Sequence, residues 1–143
     1  MNGPTIRRAE PRDLGPVNRL LQQVLTVHHH GRPDLFHATG KKYTFVYEKD
    51  SAVLGYAFCA LQHMGSGSLK DITTLYIDDL CVDERARGQH IGKALFEHVQ
   101  SFAAEKGCHN ITLHVWECNP GARAFYDAMG LKPLYTSMEL ILQ

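Results

Sequence analysis

Asp78-Asp79-Leu80-Cys81-Val82-Asp83-Glu84-Arg85-Ala86-Arg87-Gly88-Gln89-His90-Ile91-Gly92-Lys93 runs from a strand pattern through a charged turn into a helix. The strand is predicted over residues 75–82. The helix is predicted over 91–106, with Ile91, Ala94, Leu95, His98, Val99 and Phe102 on one face and Gly107 as its stop. A turn of this kind aims successive backbone N–H groups at one point. Together with the positive end of the helix dipole they bind an anion, and Gly88 and Gly92 let an extended phosphate approach the main chain. Pyrophosphate is the natural ligand, against the plainer reading of an ordinary strand-to-helix connection. Two other phosphate motifs fail on residue identity. Gly92-Lys93 is followed by Ala94, so the hydroxyl of a P-loop is missing, and His90 occupies what would be the second glycine of a dinucleotide fingerprint.

Outward from this stretch, residues 5–9 read as a short strand, and Pro11-Arg12-Asp13 opens a helix with proline in its first turn and an acid near the positive dipole end. Leu14, Val17, Leu20, Leu21, Val24 and Leu25 keep the spacing of one buried helical face. Residues 28–44 read as loop. Residues 45–48 and 52–61 form an antiparallel hairpin across Glu48-Lys49-Asp50-Ser51, and Met64-Gly65-Ser66-Gly67-Ser68 leads to the next strand. Behind the long helix come a strand over 110–115, a break at Asn119-Pro120-Gly121, a helix over 122–129 stopped by Gly130, and a last strand near 137–142. An antiparallel run followed by strands alternating with helices gives an α/β fold with a central mixed, twisted sheet flanked by helices, in a single domain over residues 1–143.

Composition narrows the function. Of 143 residues 44% are hydrophobic and 21% charged, which suits one core. Lys+Arg and Asp+Glu balance at 15 each, so the basic excess that drives nucleic-acid or anionic-membrane binding is missing. The longest mainly apolar run, residues 52–61, is about half of what a membrane-spanning helix needs. Met1-Asn2-Gly3-Pro4-Thr5-Ile6-Arg7-Arg8 does not read as a secretion signal, and a cytoplasmic location is expected. Cys59, Cys81, Cys108 and Cys118 include no C-x-x-C pair and read as reduced thiols in apolar or strand-like segments. Three consecutive histidines, His28-His29-His30, point in different directions and lack ligand spacing, so no metal is expected.

Arg87-Gly88-Gln89-His90-Ile91-Gly92 resembles the R-x-x-G-x-G/A acyl-CoA signature of the GNAT superfamily of N-acetyltransferases. The segment from Trp116 to Leu131 resembles the family's second motif, N-x-x-A-x-x-F-Y-x-x-x-G-F, and Arg7, Ala9, Pro11 and Asp13 resemble its usual opening. The resemblance covers nearly the whole chain and implies acetyl transfer from acetyl-CoA to a primary amine by direct attack in a ternary complex. It implies that Leu80, Cys81 and Val82 offer backbone groups to pantetheine and the thioester. It assigns the pyrophosphate to Arg87, Gly88, Gln89, His90, Ile91, Gly92 and Lys93, a pantetheine hydrogen bond to Asn119, and protonation of the leaving thiolate to Tyr126.

Three departures accompany the resemblance. His90 stands at the signature's middle glycine, where it must adopt a positive φ at some strain. Lys42-Tyr43-Thr44 runs almost directly into Phe45, where many relatives have a second helix. The second motif ends Gly130-Leu131 instead of Gly-Phe. For the base that takes the amine proton, Ile77-Asp78-Asp79 echoes the L-E-D segment of diamine acetyltransferases and points to Asp78. His114 falls where protein N-terminal alanine acetyltransferases carry a glutamate. The acceptor is left open among polyamine, amino acid, small amine and protein N-terminus. The rival reading is an idle acyl-CoA-binding module. A homodimer is a further expectation, with Met138, Leu140 and Leu142 packing across a two-fold axis.

Overall fold

The computed structural model describes residues 3–27, 41–64 and 72–143, with the side chains of 21–27, 41 and 64 left aside. The His28-His29-His30 run, residues 31–40 and Gly65-Ser66-Gly67-Ser68 therefore lie outside the described residues, whereas Lys42-Tyr43-Thr44, which leads into Phe45, lies within them as strand. The chain divides into two compact units, Met1–Leu113 and His114–Gln143.

The first unit is built on a five-stranded sheet in the order β1-β2-β3-β4-β5. Its strands are β1 (Thr5–Arg8), β2 (Lys41–Lys49), β3 (Ala52–Met64), β4 (Ile72–Val82) and β5 (Asn110–Leu113). The first four are antiparallel neighbours and β5 joins β4 in parallel, so the sheet is mixed as expected. The helices are α1 (Leu14–Val27) and α2 (Ile91–Glu105). β2 is longer than its apolar pattern because residues 41–44, expected as loop, pair with residues 58–61 of β3, and β3 runs on to Met64 by pairing with the start of β4; the hairpin turn itself is only Asp50-Ser51. Both residues hold positive φ (51° and 64°), the mirror-image turn that matches strand twist, and Glu48 and Lys49 are released to the ladder.

The two faces of the sheet are told apart by alternation along β3. Tyr56 joins Val17, Leu20, Val46 and Cys81 in one buried cluster, which is the α1 side. Gly55 faces α2, where a Cβ would meet the Cys81 carbonyl oxygen at 2.9 Å and Leu95 Cδ1 at 3.0 Å; only glycine lets β3, β4 and α2 converge there. On that side Phe45 stacks edge-on against His98 and Phe102, and α2 buries Ile91, Leu95, Phe96, Val99 and Ala103. The helical face read from sequence is thus the packed one, with Phe96 and Ala103 added.

Several boundaries differ. Pro11–Asp13 is a separate 3-10 turn, and Asp13 is not a solvent-facing dipole partner but 3% exposed. Its oxygens accept from the Glu10 N–H at 2.7 Å and from both terminal nitrogens of Arg7 at 2.8 and 2.9 Å. Arg7 also reaches Glu48 on β2 at 2.9 Å. Leu14 is 66% exposed, so α1 begins its buried stripe at Val17. Gly107 does close α2 with φ +72°, and β5 stops at Leu113.

The second unit holds one helix, α3 (Pro120–Ala128), which starts two residues earlier than expected. Asn119 is its N-cap, accepting from Ala122 N–H at 3.2 Å, and Pro120 takes the first helical position where its missing N–H costs nothing. Residues 131–143 form no strand, in contrast to the expected strand near 137–142. An apolar alternation becomes a strand only where a ladder partner takes its backbone groups, and this segment has none among the described residues. Cys118 is exposed, not a core thiol.

Arg7 holds the Asp13 carboxyl below its ordinary range, through hydrogen bonds first and charge second. The stabilisation is therefore present above the unfolded carboxylate pKa of about 3.9 and is lost as pH falls through the lower folded value. Asp13→Ala is expected to cost about 3 kcal/mol at pH 7, because it removes the two-pronged carboxylate partner of a largely buried guanidinium and leaves it the contact to Glu48. Thermal melts should show that cost shrinking in strong acid; an equal loss at both pH values would contradict the assignment.

Candidate active site

Two local features of β4 build the site. β5 pairs with β4 only from Thr74 to Ile77, whereas β3 pairs with it through Val82. Beyond Ile77, β4 is thus laddered on one side alone among the described residues, and the edge of Leu80, Cys81 and Val82 facing away from β3 is open to an extended ligand. At the same point the register slips. Ile77 faces Cys59 and Asp79 faces Phe58, leaving Asp78 without an opposite residue, a β-bulge. The extra residue exchanges the faces of the strand, so that Asp79 comes to the side of Tyr56, which donates its hydroxyl to Asp79 Oδ2 at 2.5 Å.

Each nearby titratable group answers to this burial. Desolvation raises the Asp78 pKa above the usual carboxylate value, with the Lys42 charge pulling the other way. The Tyr56 phenol is raised by its burial and then by the Asp79 charge. Cys81 is pushed up to about 11, by burial first and Asp79 second, and Cys59 to about 12 by burial and then Asp78. Thiols held this high are poor nucleophiles at neutral pH, in keeping with their reading as packing groups.

After Val82, Asp83 caps a 3-10 turn (Glu84–Ala86) by accepting from Arg85 N–H at 3.0 Å. Arg87 is extended, Gly88 has φ +87°, and His90 sits in the left-handed region at φ 59°, ψ 27° as the N-cap of α2. The His90 ring makes no capping hydrogen bond and the first turn of α2 carries no acid. The first helical hydrogen bond runs from Ala94 N–H to the His90 carbonyl at 3.1 Å, so the amides of Ile91, Gly92 and Lys93 precede the intrahelical ladder. Three such donors, a dipole end without a side-chain cap and an exposed approach past Arg87, Gly88 and Gln89 suit a polyanion. The donor set fits the diphosphate of a coenzyme A.

The second unit carries the remaining candidates. Asn119 spends its Oδ1 on the helix cap, which leaves its amide N–H groups as the polar handle for a ligand. Tyr126 lies on α3 with its ring tilted against Phe125, centroids 5.1 Å apart. His114 Nε2 is 2.9 Å from the Tyr135 hydroxyl. The structure thus brings Asp78, Leu80, Cys81 and Val82 together in β4 and leads that strand into the Arg87 to Lys93 turn. Tyr126, Asn119 and His114 belong to the other unit. Sequence reasoning missed the Tyr56–Asp79 pair, whose one signal was a phenol inside an otherwise apolar strand.

The sequence model of the acetyltransferase (GNAT) family matches residues 15–131, and the chain belongs to that family. Among curated relatives, the thialysine N-epsilon-acetyltransferase of Bos taurus is 35% identical over 60 residues, a match that spans 42% of this chain and 35% of the bovine protein. A mutant of the BH1408 protein of Bacillus halodurans has a crystal structure similar at TM-score 0.87 and 29% identity, covering 97% of this chain and 99% of that one. The aminoglycoside N-acetyltransferase AAC(6')-Iy, solved in complex with CoA, shares the fold at TM-score 0.74 and 16% identity, with 97% of this chain and 99% of that one covered. Among the described residues, no helix is long and apolar enough to cross a membrane.

Gly92→Glu puts a carboxylate in the first turn of α2, beside the amides that precede the ladder. Calorimetry with acetyl-CoA is expected to show at least a tenfold loss of affinity, about 1.4 kcal/mol, in a variant that melts like the parent. Undiminished affinity would move the cofactor elsewhere.

Proposed function

We propose that the protein is an acetyl-CoA-dependent N-acetyltransferase that acetylates a primary amine by direct attack within a ternary complex. The observation that carries this reading is the one-sided, bulged end of β4 leading into the uncapped N-terminus of α2. It offers an extended backbone edge and an anion cradle in succession, as a pantetheine arm with its diphosphate requires. Family membership supports the same chemistry. When bound, acetyl-CoA supplies an acetyl thioester and a thiolate leaving group.

The chain's own groups then divide the work. Backbone groups at Leu80, Cys81 and Val82 align the donor along the free edge of β4 and offer N–H polarisation to a developing oxyanion. Arg87, Gly88, Gln89, His90, Ile91, Gly92 and Lys93 hold the phosphates, and Asn119 binds the arm through its amide N–H. Asp78, half-buried with a raised pKa, is a stronger base than a solvated carboxylate and takes the ammonium proton; His114 is the alternative base. Tyr126 protonates the departing thiolate. The raised Cys81 pKa favours attack by the amine itself over an acyl-cysteine relay. Carboxylates at Asp78 and Asp79 suit a cationic acceptor, a small primary amine of the polyamine or lysine-analogue kind. The protein is expected to act in the cytoplasm.

Two kinetic signatures test these roles. Tyr126→Phe keeps the ring and deletes the hydroxyl, so acetyl-CoA affinity should stay near wild type while kcat drops roughly 10²-fold; unchanged kcat under chemistry-limited turnover would remove Tyr126 from the mechanism. A base must be ionised, so wild-type kcat/KM should fall as pH drops through the raised Asp78 pKa. Asp78→Asn should be slower than wild type above that pKa, converge with it below, and lose that acidic limb, and a variant that retained the limb would shift the role to His114 or another group.

A further inference from the structure

Lys42 is a cation on the face of the sheet that carries Asp79, and the proposed transfer gives it no role. The ladders place it. Val46, Tyr56 and Cys81 form one row across β2, β3 and β4, and all three lie in the buried cluster on the α1 side. Two residues further along, Thr44, Phe58 and Asp79 make the next row on that face, with the Phe58 ring 4.5 Å from that of Tyr56 between centroids. The row after it is Lys42, Ala60 and Tyr76. The alternate residues of β2 serve the other face, where Tyr43 and Phe45 pack on Phe102 of α2. The bulged Asp78 falls on β4 between the last two rows, and Lys42 is the charged group that opposes the desolvation of its carboxyl.

This face therefore carries two carboxylates, Asp78 and Asp79, and one ammonium. The ion pairs of the described residues use Arg7, Arg12, Arg85, Lys93 and Arg123 as their cations, and Lys42 joins none of them. A polyamine would answer both carboxylates but bring a further ammonium against Lys42, and like charges brought together cost binding. An amino acid with a second, distal amine has the complementary set: two ammonium groups and one carboxylate. The spans agree. β2 and β4 lie roughly 10 Å apart across β3, a gap that the chain between a distal amine and its carboxylate bridges with the help of the flexible four-carbon stem of Lys42. An amino acid whose only amine adjoins its carboxylate is too short to reach both ends.

We infer that Lys42 selects the acceptor by pairing with its carboxylate, so that the substrate is an amino acid of the lysine type, with its distal amine at Asp78, and not a polyamine. Placing the reacting amine at Asp78 rests on the proposed acetyl transfer; the position and charge of Lys42 do not.

Free lysine and cadaverine test it, because they differ by one carboxylate alone. Wild type is expected to show a kcat/KM for lysine at least tenfold above that for cadaverine, about 1.4 kcal/mol. Lys42→Glu should lower that ratio at least tenfold, and Lys42→Arg, which keeps the charge, should preserve the preference. Cadaverine turnover by the same variants controls for damage to Asp78, since an effect through the base would slow both acceptors alike. A wild type that prefers cadaverine, or a Lys42→Glu enzyme with the wild-type ratio, would overturn the inference. Calorimetry in the presence of CoA gives a reading independent of turnover. Lysine is expected to bind Lys42→Glu at least tenfold more weakly than wild type, and equal affinity would also overturn the selection. Lysine binding that depends on Lys42, with no thiol released from acetyl-CoA, would instead count against the proposed function. Acetylation of cadaverine but not of lysine would leave that function standing and remove the role of Lys42.

Discussion

The end of β4 is the constraint on which the rest depends. This strand carries hydrogen-bonded neighbours on both sides as far as Ile77, then one neighbour only, and at the point of change it holds one residue more than β3 can match. The bulge at Asp78 absorbs the mismatch. It also reverses the alternation, so Asp79 and Cys81 meet Tyr56 and Leu20 on the α1 side: Tyr56 donates to Asp79, and the Cys81 thiol donates to the Leu20 carbonyl at 3.5 Å. A carboxylate in the middle of a sheet is tolerable only with such a partner. The Tyr56 hydroxyl supplies it for Asp79, while at Asp78 partial desolvation raises the carboxyl pKa against the opposing charge of Lys42.

The turn that follows gives up local stability. A histidine at φ 59° is strained relative to glycine, by about 1 kcal/mol or somewhat more, and His90 adds no side-chain cap in return. A serine or aspartate cap would stabilise α2 but occupy the amide donors that an anion needs. Rigidity comes from elsewhere: Ile91 and Leu95 are fully buried under the sheet, and Gly55 lets them approach β3 and β4. At the far edge, Arg7 ties β1, the Pro11 turn and Glu48 of β2 into one charged cluster, which holds the entry to α1 in place.

Much of this was legible in the sequence because it was periodic. The three-and-four spacing of Ile91, Leu95 and Val99 announced α2 and its packed face, and the strand-turn-helix order around Arg87 to Lys93 announced the connection from β4 into α2. Other features were not periodic. The bulge depends on how many residues β3 offers opposite β4, a long-range count that neither strand encodes alone. The two-residue turn at Asp50-Ser51 required positive φ at residues other than glycine. Leu14 kept the helical spacing yet faces solvent, since the 3-10 turn before it sets where α1 first meets the sheet. Residues 137–142 have a strand's alternation and no ladder, because a strand is a property of a pair.

The central claim is that this fold moves an acetyl group from a thioester to an amine. The most direct measurement is the rate of free CoA thiol release from acetyl-CoA across a panel of amines (a polyamine series, lysine analogues, aminoglycosides and short peptides with free N-termini), with mass spectrometry of each acceptor. The account predicts release that depends on the amine, saturates with at least one class and matches acetylated product one for one. Tight CoA binding with thiol release no faster than buffer for every amine in the panel would contradict it.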